Sequence, residues 1–429
     1  MSPTAPSERE CSRRTGSLDH YEDCMASEST STRGFALYAP PQQEAPAVRP
    51  LAAVERLPLV DVLRGVAILG VLLAYTLWNL GSPPSETWSR TDRIVDFTGD
   101  TLVDGKFITI FAFLFGAGTA QQWQRIEASG QNPVGIHLRR MLFLLTAGLL
   151  HAALLRNGDI LAPYAILGVA LLAARRRSVR QLVVAAVLLA LLPYAIKLGF
   201  GAIGWKFPHR PGAGGESVSR FRYWRENFDW LRYWYLTNPL LSWPRILTVM
   251  LAGVLAQRAG AMARVAADAR LARRLFATAF PIAVAGRIAL VLLPGRWDPR
   301  HWTLARGIVL NEVYYVAIWS LAAVYVAAFA LLCQRPDWPA RLHWLRAVGR
   351  MAFTNYLIQA LIVVPICLAF GLFDAITPTR GLLLALGVAA IQIPFSVWWL
   401  ARFEYGPVEW LWRRATYGSR RVILNERSE

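Results

Sequence analysis

The sequence predicts an all-α fold, a polytopic integral membrane helical bundle of about ten transmembrane helices, from three observations. Of 429 residues, 55% are hydrophobic and only 17% charged. The apolar residues arrive in blocks of about 17 to 25, and at about 1.5 Å rise per residue each block spans the roughly 30 Å hydrocarbon core of a bilayer. Arginines fall at the ends of the blocks. A backbone in lipid must satisfy its own hydrogen bonds, so each block reads as a helix.

The net charge of +18 invites a nucleic-acid reading, but its distribution argues against one. The basic residues punctuate apolar blocks instead of forming one basic face, so the expected partner is the lipid bilayer. Forty-three arginines stand against three lysines, a bias that carries no mechanism. Cys11, Cys24, Cys333 and Cys367 show no metal-ligand spacing, and no metal site is expected.

Residues 1–50, rich in Ser, Pro, Glu and Arg, read as a disordered tail without an apolar signal region. The candidate spans are 58–80, 106–123, 140–156, 159–174, 179–203, 243–262, 275–295, 308–333, 347–373 and 380–402. The second is the shortest and either spans or re-enters. An Arg156-Asn157-Gly158-Asp159 turn joins the third and fourth, with Asp159 as N-cap.

Loops on one side carry Arg139 and Arg140, Arg175 to Arg177, Arg270, Arg273 and Arg274, and Arg341, Arg346 and Arg350. The short opposite loops are poorer in basic residues. By the positive-inside rule the arginine-rich side is cytoplasmic, which puts both termini inside a cell inner (plasma) membrane. Residues 204–242 break the pattern with Arg220, Arg222, Arg225 and Arg232 among Trp224, Trp230 and Tyr235. They read as an interfacial amphipathic helix or as a lid over an outward site for an acidic or sugar substrate.

Ionisable side chains inside a span cost about 2.5–3.5 kcal/mol each on insertion scales, so each calls for a reason. Arg64 lies three residues after Asp61. It either snorkels and pairs with Asp61, or clamps an anionic group such as the phosphates of an acyl-CoA. Of six histidines, only His151 falls in an expected span, about 16 Å along the helix from Arg140. With Asp159 just beyond a tight turn it forms an imidazole–carboxylate pair suited to general base catalysis, or a hydrogen bond that holds helix packing.

Arg287 pairs with Glu312 or meets substrate, and Asn311 lies beside Glu312. Asn355 and Gln359 share a helix face and either line a polar cavity, with Gln392 beyond, or act as interhelical glue. Gly116, Gly118 and the Phe107-to-Phe115 cluster read as tight helix packing.

The stretch Leu59-Val60-Asp61-Val62-Leu63-Arg64-Gly65-Val66-Ala67-Ile68-Leu69-Gly70 resembles the opening motif of the YeiB-like family, domain of unknown function 418. Similar to that family are Lys106-Phe107…Phe113-Leu114-Phe115-Gly116-Ala117-Gly118 and His151 followed by Gly158-Asp159-Ile160-Leu161. So are Gly349-Arg350-Met351-Ala352-Phe353-Thr354-Asn355-Tyr356-Leu357-Ile358-Gln359 and Tyr405-Gly406-Pro407-Val408-Glu409-Trp410. The resemblance covers residues 56–420, and 345–420 is the most family-specific block.

It implies a distant similarity to transmembrane acyltransferases, including the acyltransferase type 3 group and heparan-α-glucosaminide N-acetyltransferase. These pass an acyl group from cytoplasmic acyl-CoA to a sugar or similar acceptor. In the type 3 group a catalytic histidine follows the first-helix arginine after ten residues, a place taken here by Tyr75. His151 is then the substitute base, oriented by Asp159.

The expectation is an acyltransferase-like enzyme with no bound cofactor. It would take acyl-CoA as co-substrate and a glycan or lipid-linked acceptor contacted by residues 204–242. The alternative is a permease for a small polar or lipid-linked solute, built on a line of Arg287, Glu312, Asn355, Gln359 and Gln392.

Overall fold

The computed structural model describes residues 57–80, 86–155, 159–202, 239–293, 304–373 and 375–417, and positions 228, 231, 232, 235 and 236. The expected tail at 1–50, the Arg156-Asn157-Gly158 turn and most of 204–242 lie outside the described residues.

The elements in chain order are helices throughout. They are α1 (Pro58–Ala74), α2 (Arg90–Leu102), α3 (Lys106–Ala128), α4 (Pro133–Leu154), α5 (Leu161–Ala170), α6 (Val179–Ala202), α7 (Trp243–Arg258) and α8 (Ala261–Ala267). There follow α9 (Ala269–Leu292), α10 (Leu304–Cys333), α11 (Trp338–Arg341), α12 (His343–Arg350), α13 (Ala352–Phe370), α14 (Pro378–Leu400) and α15 (Pro407–Tyr417).

Pro58, Pro133, Pro378 and Pro407 open their helices, where the missing N–H has no partner to lose. A reciprocal Ser89–Asp92 capping box starts α2. Tyr75–Asn79 continue α1 as a π-helical turn.

Among the described residues eight helices are long and apolar enough to cross a bilayer, and nine if α7 and α8, bent by 68°, form one broken span. The fourth expected span, 159–174, is the shorter apolar helix Leu161–Ala174, only about 20 Å long. Leu142, Leu150, Val187, Leu188, Leu191 and Ile288 are exposed on helices of this kind. Apolar faces left open on long apolar helices are what a lipid solvent requires.

Helix α1 sits at the centre, with 67% of its apolar window buried against 17% for α6 and α9. It packs on α12, α3, α10 and α13, while α3 packs on α7, α4 on α5, and α9 on α10. The α3–α7 crossing is glycine-lined: a Cβ on Gly116 would overlap the Met250 carbonyl, and one on Gly253 the Phe113 carbonyl. The packing role expected of Gly116 is therefore seen. Gly118 instead faces Arg64, whose Nη2 lies 3.7 Å from where its Cβ would be.

Several arginines of the basic loops end helices. Arg258 donates to the carbonyls of Ala174, Arg175 and Arg177 at 2.7–2.8 Å. These carbonyls lie where α5 and its 3-10 extension stop. Arg350 likewise donates to the Glu404 carbonyl at 2.7 Å.

Candidate functional site

His151 lies in the last turn of α4, away from the arginine-rich loops. Asp159 precedes α5, and its Oδ2 accepts from the Ala162 N–H at 2.8 Å, the capping role expected of it. The carboxylate is thus fixed by the start of one helix and aimed at the end of another. His151 Nδ1 lies 3.1 Å from Asp159 Oδ1, and both side chains are 1% exposed.

The contact has ion-pair distance without hydrogen-bond alignment, and neither imidazole nitrogen has a hydrogen-bond partner. The third member is Tyr356 of α13. Its hydroxyl donates to Asp159 Oδ1 at 3.1 Å and accepts from the Ile160 N–H at 3.2 Å. Its ring lies 4.8 Å from the His151 ring. Gly148, one turn before His151, makes room for this approach: a Cβ there would overlap the Ala162 nitrogen and stand 2.7 Å from Asp159 Oδ2.

Tyr235, from the segment between α6 and α7, packs edge-on against Trp243 with ring centroids 6.0 Å apart. Its hydroxyl is buried without a hydrogen bond. Burial, and secondarily the Asp159 charge, pushes it above the usual phenol range.

A second histidine shows what a satisfied one looks like. His137 is fully buried, with Nδ1 accepting from Trp123 Nε1 at 3.3 Å and Nε2 2.8 Å from the Gly168 carbonyl. These partners set its tautomer and occupy both nitrogens. The expectation that His151 is the one histidine inside a span is corrected here. Helix α4 begins at Pro133, about two turns before the expected start at 140, and so includes His137. Asn132 caps it there by accepting from the Val134 N–H at 3.1 Å.

The structure separates the other candidates. Arg287 and Glu312 do not pair with each other. Arg287 Nη1 is 2.5 Å from Asp100 Oδ2, its guanidinium lies 4.8 Å from the Phe97 ring, and it sits five residues from the end of α9. Glu312 pairs at 3.2 Å with Arg245, which also donates to Tyr194 and stacks on Tyr315. Asn311 lies 3.0 Å from both Arg245 Nη atoms. Each acid found a cation on a helix distant in sequence.

Asn355 and Gln359 are buried with Gln392 and Ser396 in one satisfied network. Asn355 Nδ2 donates to Ser396 Oγ and to the Val348 carbonyl. Gln359 donates to Gln392 Oε1 and to the Ile68 carbonyl, and Gln392 donates to the Asn355 carbonyl. This ties α13, α14 and α1 together and leaves the Asn355 and Gln359 amides no spare donor for a solute. Of the two readings the geometry fits glue. The expected polar line of five residues is three separate sites.

Arg64 is 38% exposed, and its Nη1 lies 3.5 Å from the buried Asp61. A concavity of about 750 Å³ opens at the arginine-rich end, lined by Asn132, Leu172, Arg175, Arg176, Arg177 and Gln181, with no member of the His151 cluster on its wall. Tyr75 is buried in an apolar cluster with Leu72, Leu80, Val364 and Cys367.

Two residues escaped assignment from sequence although they lie in motif stretches, Tyr356 and Glu409. Glu409 Oε1 accepts from the Phe353 and Thr354 N–H groups at 2.7 and 3.0 Å, and Oε2 from the Thr354 hydroxyl at 2.5 Å. A carboxylate from α15 thereby caps α13. Burial pushes its carboxyl above the ordinary value, against the pull of these bonds.

Apolar helices enclosing a buried histidine–carboxylate–tyrosine cluster make this a multi-pass helical membrane protein. Residues 256–419 match the family described as "Protein of unknown function (DUF418)". The chain is also 28% identical over 418 residues to "Uncharacterized protein YxaH" of Bacillus subtilis (strain 168), covering 88% of this chain and 98% of that protein. It is 28% identical over 400 residues to "Uncharacterized protein YeiB" of Escherichia coli (strain K12), covering 84% and 96% respectively. The resemblance to the YeiB-like family read from the motifs is borne out by these matches. No solved structure matches the chain.

Proposed function

We propose that this protein is an acyltransferase-like membrane enzyme, passing an acyl group from acyl-CoA to a hydroxyl or amine of a sugar or other envelope acceptor. The observation that carries this reading is the His151 Nδ1–Asp159 Oδ1 approach of 3.1 Å, with Tyr356 on the same carboxylate oxygen. With Nδ1 protonated and facing Asp159, Nε2 is the basic atom. It takes the proton of the acceptor group as that group attacks the thioester carbonyl. The tetrahedral intermediate then collapses, expelling the CoA thiolate, and the imidazolium returns the proton to sulfur.

Asp159 holds the tautomer and stabilises the imidazolium. The site's closure against water favours transfer over hydrolysis. In this reading the arginine-rich end faces the cytoplasm, both termini lie on that side, and Arg64 meets the phosphates of the donor. The distant similarity of the opening motif to transmembrane acyltransferases supports the same class by analogy.

The permease alternative drew on five polar residues that fall in three separate sites, and no observation favours it.

The test uses purified protein in neutral detergent with acyl-CoA. Protection against thermal unfolding by acyl-CoA, weakened in Arg64→Ala, is expected. So is loss of acyl transfer or slow acyl-CoA hydrolysis in a folded His151→Ala protein. A folded wild type that neither binds acyl-CoA nor hydrolyses it overturns the reading.

A further inference from the structure

Arg140 is a cation whose surroundings, among the described residues, lack an acid. It lies on α4 about two turns from the helix start, packed deep between α3, α4 and α15. Its guanidinium is sandwiched 4.9 Å from the Trp412 ring and 5.5 Å from the Phe115 ring. Nη1 donates to Gln122 Oε1 at 2.7 Å, while Nε is buried with no hydrogen-bond partner. Gln122 is itself held by donating to the Tyr417 hydroxyl at 2.9 Å, and Trp412 Nε1 donates to the Arg140 carbonyl at 3.4 Å.

The charges that Arg140 feels are Arg64 and Arg413, both cations, along with the Tyr417 phenol. Asp61 is held to Arg64. Arg258 and Arg350 meet backbone carbonyls, and Arg287 and Arg245 meet carboxylates. Arg140 meets one neutral amide. A desolvated guanidinium costs several kcal/mol unless an anion compensates it. The cations that act on Arg140 come from α1 and α15, and two aromatic rings flank the central fork.

We infer that Arg140, with Arg64, Arg413 and Gln122, forms an anion site at the arginine-rich end that takes a phosphate or diphosphate group. The planar fork offers Nε and Nη2 side by side, a match to two oxygens of one phosphate. Arg64 reaches the region over Gly118, where no side chain intervenes. Helix α15 closes the site from the C-terminal side through Trp412 and Tyr417. The site stands whether or not acyl transfer occurs at His151.

The experiment measures binding of inorganic pyrophosphate to the full chain in neutral detergent, by calorimetry and thermal shift. A parallel arm uses short-chain phosphatidylglycerol. Saturable pyrophosphate binding that weakens with salt, falls at least about tenfold in Arg140→Gln and persists in His151→Ala is the expected result. Binding of the lipid alone, lost in Arg140→Gln, keeps the site and assigns the phosphate to a headgroup. Persistence of binding in His151→Ala without acyl transfer by wild type would sink the enzymatic reading and leave this one standing. No saturable binding of either probe by folded wild type overturns it, as does binding unchanged in Arg140→Gln. Should Arg140→Gln fail to fold, unchanged binding in both Arg140→Lys and Arg64→Gln overturns it equally.

Discussion

Gly349 of α12 rests directly on the carbonyl of Asp61 in α1, so close that a Cβ on Gly349 would overlap that oxygen and crowd the Gly65 nitrogen. Gly65 in turn faces the Leu345 carbonyl with no room for a methyl group. The opening motif and the C-terminal motif, almost 300 residues apart in sequence, are therefore two sides of one backbone crossing. Gly349→Ala and Gly65→Ala should each destabilise the bundle by about 1–3 kcal/mol, the usual cost of overpacking. Thermal unfolding in detergent should show both melting earlier, with Gly387→Ala tested beside them as an open-site control. Unchanged melting would mean the crossing is looser than described.

The site depends on Asp159 doing two jobs. Asp159→Asn keeps an oxygen for the Ala162 N–H but removes the charge beside His151. A folded protein with turnover reduced about 10²-fold or more is expected, and a similar or larger loss in His151→Ala. Tyr356→Phe should cost less, since it removes one of the contacts to the carboxylate. Gly148→Ala should impair turnover without replacing any polar group, because its methyl pushes against Asp159 Oδ2. Full activity in Asp159→Asn would remove the carboxylate from the mechanism.

Glu409 should matter to stability more than to chemistry. Glu409→Ala strands the Phe353 and Thr354 N–H groups, at about 1–3 kcal/mol for buried donors left unmade. Glu409→Gln keeps an acceptor and should cost less. The folded carboxyl binds its proton more tightly than the unfolded chain. Its contribution is therefore full at acid pH and declines as pH rises from the ordinary carboxylate value through the raised one. Melting curves against pH should show that slope in wild type and a flatter one in Glu409→Gln.

Charge pairing can be read by double-mutant cycles. Arg287→Ala and Asp100→Ala should be non-additive by about 0.5 kcal/mol or more, as expected for partners in contact. Arg287→Ala with Glu312→Ala should be additive within about 0.5 kcal/mol, because each has another partner. The opposite pattern would restore the Arg287–Glu312 pair.

Much of this protein was legible along the chain because hydropathy is a local quantity. Apolar blocks long enough for a bilayer need no knowledge of their neighbours, so the helices appear close to where 58–80, 308–333 and 380–402 were expected. His151 and Asp159 were legible together because they stand only eight residues apart, at the end of one expected helix and the start of the next.

Only the tertiary structure decided how Arg287 pairs with Asp100, how Glu312 pairs with Arg245, how Tyr356 joins Asp159, and that Arg140 meets no acid. A soluble helix announces its inward face by an apolar stripe, but a helix in lipid is apolar all round. Rotation about the axis and choice of neighbour therefore leave little trace in sequence. They are set by where backbones can touch, as at Gly349 and Asp61, and by which desolvated charges can meet.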